Sequence, residues 1–298
     1  MNRTSALLAD HIDLHQIFNF ADYSAVLHLV RNSVLAGAIL GVVAGLISVF
    51  VMRRDLPFAV HGISELSFAG AAGSLLLGVN VVVGSLAGSM IAALAIGLLG
   101  VRARDRNSVI GVLMPFGLGL GVLFLSLYSG RGANKFGLLT GQIVAIDSPQ
   151  LSWLIGISIV VVLSLVVLWR PLTFASIDPE VAAARGVPVR ALGPLFMLVL
   201  GLTVAMSVQI VGALLVLSIV VTPAAAAMRV TATPWLTTLL SVVFAFVSVV
   251  GGILLALGST LPISPYITTI SFAFYLGCRG VGRWRERSGW TRRPARAH

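Results

Sequence analysis

The chain has 298 residues, 58% of them hydrophobic and only 10% charged, with a mean hydropathy of +1.02. A soluble fold of this length, about a quarter charged by the usual composition, is therefore excluded, and lipid must be the solvent for much of the surface. The net charge of +10 would suit a nucleic-acid binder, but seven arginines crowd the last twenty residues and most of the others flank apolar runs, the placement of topology signals rather than of a nucleic-acid groove.

Backbone groups in lipid must satisfy one another, so long apolar runs become helices. A barrel would alternate in hydrophobicity over about ten residues, and these runs are continuous. The single cysteine, Cys278, excludes both an internal disulfide and a cysteine metal cage. The first thirty residues are mixed and polar, so no cleavable signal peptide is expected.

In chain order, residues 1–31 open with apolar Leu7, Leu8, Ile12, Leu14, Ile17 and Phe18 at roughly helical spacing. This predicts an amphipathic segment on the outer membrane surface. Apolar runs long enough to span follow at 32–52, 56–79, 81–100, 108–128, 150–169, 191–208, 210–228, 235–258 and 266–282. The expectation is an all-α polytopic membrane protein of eight to nine transmembrane helices. Only Gln209 and Gly212 punctuate 191–228, so a reentrant turn or one long bent helix is the alternative there. A transmembrane domain over 32–282 is followed by a basic tail, 283–298.

Arg53 and Arg54, Arg102, Arg104 and Arg106, Arg170, Arg185 and Arg190, Arg229 and the seven tail arginines fall on one side of this topology, sixteen in all; Arg3, Arg31, Arg131 and Lys135 fall on the other. The side richer in arginine faces the cytoplasm. The N-terminus is then outside and the C-terminus cytoplasmic.

Of ten acidic residues, Glu65 alone lies deep in an expected span, about 13 Å in at 1.5 Å per residue. A carboxylate at that depth needs a partner. His61 sits four positions earlier on the same helical face. Together they offer one nitrogen and one carboxylate donor for a divalent cation. Ser64 and Ser67 could add oxygen contacts or orient the ligands. A buried ion pair that fixes packing, or a proton relay, are the other readings.

At the N-terminus, Asp10, His11, Asp13 and His15 could capture metal externally or form a solvated polar face. Between two spans, WRPLTFASIDPEVAAARGVPVR carries Asp178 as N-cap, Pro179 at the first helical position, Glu180 in the first turn, then Arg185, Gly186 and Pro188 as a stop. A short helix at 179–185 is predicted, either a docking element or a surface connector. Gly37, Gly41 and Gly45, and Gly84 and Gly88, allow close helix approach within the chain. Pro223 should kink or end its span. LPISPYIT, with Pro262 and Pro265, reads as a tight external turn. There is no GxxxxGK[ST] phosphate loop and no HExxH, so ATP binding of that kind and soluble-type catalysis are unsupported.

Three stretches give a more specific signal. VMRRDLPFAVHGISELSFAGAAGSLLLG, WRPLTFASIDPEVAAARGVPV and VQIVGALLVLSIVVTPAAAAMRV together resemble the zinc/manganese-type metal-ion permease family of ABC importers, from about residue 31 to 278. Where that family places Asp and His four apart, this chain has His61 and Glu65; the donor types are kept and exchanged in order. The resemblance implies a membrane permease subunit in the bacterial plasma membrane, with no permanently bound cofactor. The transported ion would be zinc first and manganese next. ATP would be hydrolysed on a separate cytoplasmic ABC ATPase, an external metal-binding protein would deliver the ion, and the permease would form a homodimer or a pair. Residues 178–186 would be the coupling segment. A secondary transporter or channel, and a permease for a chelated metal or vitamin, are the alternatives.

Overall fold

The structure, a computed structural model, describes residues 30–100, 103–130, 137–138, 146–258 and 262–287. The expected segment around His11 and His15 lies outside them. Regular structure among the described residues is helical throughout: α1 (Arg31–Arg53), α2 (Pro57–Leu77), α3 (Val81–Leu99), α4 (Ala103–Leu127), α5 (Ser148–Ile177), α6 (Pro179–Ala184), α7 (Val189–Val211), a 3₁₀ turn (Ala213–Leu215), α8 (Val216–Val220), α9 (Thr222–Val230), α10 (Pro234–Ala256) and α11 (Ile263–Arg287).

The boundaries follow from local chemistry. Proline stands in the first two positions of α2, α5, α6, α9 and α10, where its missing N–H costs nothing. Asn80 caps α3, its Oδ1 accepting from the Val82 N–H at 2.8 Å. Gly78, at φ 70°, ends α2. The α1–α2 link is a Schellman turn. The Leu56 N–H donates to Val51 O at 2.9 Å and the Asp55 N–H to Met52 O at 3.4 Å, with Asp55 in the left-handed region at φ 55°. That turn reverses the chain in three residues and starts α2 directly beside the end of α1.

Eight segments among the described residues are long and apolar enough to cross a membrane: α1, α2, α3, α4, α5, α7, the broken stretch Ala213–Val230, and α10. The chain is thus a multi-pass membrane protein. The ninth expected span is α11, a 25-residue helix outside that set because Ser264, Tyr266, Thr268, Thr269 and Arg279 dilute its apolar content. It begins at Ile263, so the turn expected at LPISPYIT is already helical from its third residue, and it runs on through Arg283 to Arg287, so the tail expected from 283 begins as helix.

The pair at 191–228 resolves into two segments. The first ends at Val211, and Gly212, at φ 87° and ψ 156°, turns the chain into the 3₁₀ turn. Val221 then breaks the second segment, and Pro223 opens α9. The Ser48 hydroxyl of α1 bridges this break, accepting from the Ala224 N–H at 3.2 Å and donating to Val221 O at 3.4 Å.

Glycine seams hold the helices together, as expected where lipid removes most of the hydrophobic drive between spans. A Cβ on Gly41 would lie 2.7 Å from Phe246 Cα, and one on Gly45 2.5 Å from Val242 Cα. The first glycine stripe is therefore an intrachain seam between α1 and α10. Gly84 and Gly88 pack α3 on the backbone of α2 at Gly70 and Leu66.

The antiparallel α1–α10 seam, the Ser48 bridge, and the contacts of Phe50 with Trp169 and Phe196 bring one set of helix ends together. Gly282 lies against Arg229, and the Arg285 guanidinium donates to Val230 O at 2.9 Å. Arg53, Arg54, Arg106, Arg170, Arg229 and Arg285 therefore share one end of the bundle, with Arg185 and Arg190 in the connection there; Arg31 starts α1 at the other.

Candidate functional site

The site is built on α2. Its Pro57 start, held by the α1–α2 turn, puts Glu65 about 13 Å along the helix. Helix α3 packs on one side through Gly84 and Gly88 and α4 on another through Gly117, where a Cβ would lie 2.6 Å from Leu66 Cδ1 and 3.0 Å from the Glu65 carbonyl carbon. Gly121 approaches Phe68 and Ala69 one turn on. Helix α7, the 3₁₀ turn and α8 complete the surround.

Within it, His61 Nε2 stands 3.7 Å from Glu65 Oε1. The Glu65 side chain is 4% exposed and that of His61 28%. His61 Nδ1 and Glu65 Oε2 are buried without a hydrogen-bond partner. A buried carboxylate oxygen and imidazole nitrogen left open are costly in a packed interior; the atoms that face each other across 3.7 Å, Nε2 and Oε1, are the ones a cation between the two side chains would meet. A structural ion pair accounts less well for the open atoms, because its 3.7 Å contact is longer than a charge-assisted hydrogen bond of about 2.8 Å.

The two serines do not join the pair. Ser64 Oγ donates to His61 O at 2.8 Å, and Ser67 shares a 2.7 Å hydrogen bond with Ser85 Oγ on α3 while lying 3.1 Å from Ser85 O. The first is a local helix back-bond and the second ties α2 to α3, so neither hydroxyl hydrogen-bonds the His61 or Glu65 side chain. No group of three or more His, Cys, Asp or Glu comes together among the described residues. The described residues thus bring together one imidazole and one carboxylate here, fewer groups than the four that hold a structural zinc. A two-donor site leaves room for water and for release.

The segment at 178–186 forms as its sequence dictates. Asp178 Oδ1 accepts from the Glu180 and Val181 N–H groups at 3.1 and 3.0 Å. Pro179 opens α6, Arg185 is its C-cap, and Gly186 takes φ 84°. The Val187 N–H closes the turn on Ala182 O at 3.0 Å. Only Ala182 of α6 is buried; Glu180, Val181 and Arg185 project at the arginine-rich end.

At the opposite end a cavity of about 420 Å³ lies between helix termini, lined by Asn80, Asp147, Gln150, Trp153 and Gln209 among others. Gln150 Nε2 lies 3.5 Å from Gln209 Oε1, and Gln209 Nε2 donates to Val81 O at 3.3 Å. Sequence reasoning did not single out this cavity, because its members come from four separate segments. It also missed Gly117 and Gly121, although their four-residue spacing is the signal that marked the other glycine seams.

Comparison with known proteins bears on the whole bundle. Residues 26–279 match the ABC 3 transport family. The chain is 29% identical over 224 residues to the manganese transport system membrane protein MntC of Halalkalibacterium halodurans, covering 75% of this chain and 77% of that one. It is 27% identical over 226 residues to the high-affinity zinc uptake system membrane protein ZnuB of Haemophilus influenzae, covering 75% and 86%. Among solved structures, PsaBC from Streptococcus pneumoniae in complex with Fab superposes with a TM-score of 0.79 at 23% identity, over 90% of this chain and 99% of that one, which establishes a shared fold. The chain belongs to the ABC 3 transport family.

Proposed function

We propose that this ABC 3 transport family member is the membrane permease subunit of an ATP-driven importer for a divalent transition-metal ion, with His61 and Glu65 as the ion's stopping point inside the bundle. The observation that carries the reading is the pair itself: one imidazole and one carboxylate four residues apart on a buried helix face, each with an open donor atom. Named relatives handle manganese in one case and zinc in another. Nitrogen plus carboxylate favours zinc first, with manganese next, because manganese prefers oxygen. Two protein donors suit an ion that must both enter and leave.

The arginine-rich end faces the cytoplasm of a bacterial plasma membrane, and the end bearing Asn80, Asp147 and Gln150 faces outward. Helix α6, with Asp178, Pro179, Glu180, Arg185 and Gly186, is then the element a cytoplasmic ABC ATPase grips. Its six residues are anchored by Ala182 and by the Asp178 cap, so a push on its exposed face passes into α5 and α7. An external metal-binding protein presents the ion to the outer face, and two permease copies or a pair complete the transporter.

The test is uptake of radioactive zinc and manganese into proteoliposomes holding the chain with its ATPase, comparing wild type with Glu65→Gln and His61→Ala. The reading expects ATP-dependent uptake in wild type, and its loss in both variants with the protein still inserted. Uptake that survives both changes would move the ion elsewhere. Uptake indifferent to ATP would favour a secondary transporter.

A further inference from the structure

The arginine-rich end holds a second feature that metal transport does not use. Arg54 follows α1, and Arg106 lies in the first turn of α4. Burial, and after it the neighbouring Arg106 charge, hold the Arg54 guanidinium below the usual arginine range. The Arg54 Cζ lies 5.5 Å from the centroid of the Phe196 ring. Phe196 meets Phe50 edge-on, and Phe50 meets Trp169 in the same way at 4.9 Å between centroids. Gly100, which ends α3, lets the start of α4 close on α3, since a Cβ there would lie 2.8 Å from Arg106 Cα.

Both guanidiniums are incompletely satisfied. Arg54 Nη1 and Arg106 Nε are buried without an acceptor, while the rest of each side chain remains partly exposed. No carboxylate among the described residues pairs with either arginine. Asp55 and Asp105 point to solvent, and Asp178 spends its Oδ1 capping α6. Two like charges, half-withdrawn from water and without a counter-ion, repel each other and lose hydration. An anion on their open edges would remove both penalties.

We infer that Arg54 and Arg106 together bind a phosphate group, that of an anionic lipid headgroup at the inner membrane face. A guanidinium presents paired N–H donors in a fork that matches phosphate oxygens. Basic pockets between transmembrane helices on the cytoplasmic side are the usual seats of such headgroups. Trp169, against Phe50, is partly exposed at this end, and Trp collects at the membrane boundary. The pair is recessed between helix ends, within reach of a headgroup, whereas α6 projects toward protein partners. A phosphate held there ties the α1–α2 turn to the start of α4, the two helices that flank the base of the metal-bearing α2.

The test uses the purified full-length chain, delipidated in detergent, with phosphatidylglycerol, phosphatidylcholine or inorganic phosphate as probes. Retained lipid is counted by native mass spectrometry and stability by thermal melting. Wild type should retain phosphatidylglycerol and melt several degrees higher with it, but not with phosphatidylcholine. The double variant Arg54→Gln/Arg106→Gln should retain about 30-fold less, from roughly one kcal/mol per lost basic residue. If that variant does not fold, Arg54→Lys/Arg106→Lys keeps both charges, loses both forks, and should still retain less than wild type. Variant-sensitive stabilisation by inorganic phosphate instead of the lipid would keep the phosphate site and assign it a free anion. Three results would overturn the inference: a wild type indifferent to both probes, double variants that retain lipid as wild type does, or an equal loss in Arg283→Gln/Arg287→Gln, which would mean bulk charge alone. An effect of the pair seen only with the ATPase bound, and independent of lipid and phosphate, would also reject it in favour of a protein contact.

Discussion

The α1–α10 seam and the α2–α4 seam use the same device and end differently. In the first, Gly41 and Gly45 bring α1 against the backbone of α10 and Gly37 meets the Ile253 and Val249 side chains, and the Ser241 hydroxyl donates to Gly45 O at 2.8 Å. In the second, Gly117 and Gly121 bring α4 against α2 just as closely, yet His61 Nδ1 and Glu65 Oε2 are left open beside it. On α10 the Ser248 hydroxyl is also buried without a partner, but an open neutral hydroxyl costs far less than an open carboxylate beside an open imidazole. The open donors on α2 belong to the residues placed there, which is why they read as a site rather than as a packing fault.

The largest effect that would sharpen this contrast is on transport. Glu65→Gln should lower metal uptake by more than about 100-fold, since it removes a direct ligand and outer partners alone cost 10–100-fold. Ser241→Ala, in the other seam, should leave uptake near wild type and cost about 1 kcal/mol of stability, measured by thermal melting. Equal losses of uptake in the two variants would erase the distinction.

Next in size are substitutions that force the seams apart. Gly45→Val puts side-chain atoms onto the α10 backbone and should cost roughly 2–4 kcal/mol, read as loss of monodisperse folded protein. Gly117→Ala is milder, because its closest neighbour is the movable Leu66 Cδ1. It should leave the protein folded and lower uptake by shifting α4 against Glu65. Unchanged uptake would show that α4 does not set the position of the carboxylate.

A stability effect as small as that of Ser241→Ala is expected at α6. Asp178→Ala removes the cap on the Glu180 and Val181 N–H groups and should cost about 1 kcal/mol. It should weaken ATP-driven uptake while leaving equilibrium metal binding at the α2 site unchanged. Reduced metal binding in that variant would mean that α6 supports the site directly.

Much of this was legible in the chain. Long apolar runs fixed the helices because lipid offers no other backbone solution, and the Asp178–Pro179–Glu180 cap and Gly186 stop formed as the local rules require. The placement of His61 and Glu65 on one buried face of α2 followed from one carboxylate at a depth where others are absent. Less legible was whatever depends on neighbours distant in sequence. Ser67 was open to a ligand role until α3 supplied Ser85 as its partner, and Gly117 acquires meaning only beside Glu65. The break at Val221 needed Ser48, 173 residues away, to bridge it. Helix α11 is expected from its apolar run at 266–282, but its extension to Ile263 and Arg287 lies in polar and basic residues that hydropathy does not mark.

The central claim is that one ion sits between His61 and Glu65. Zinc-edge X-ray absorption on the purified full-length chain loaded with one equivalent of zinc tests it most directly. The account predicts a first shell containing imidazole nitrogen with the remainder oxygen, and loss of that imidazole signature together with tight binding in His61→Ala/Glu65→Gln. A shell that contains sulfur, or one that survives unchanged in the double variant, would contradict it.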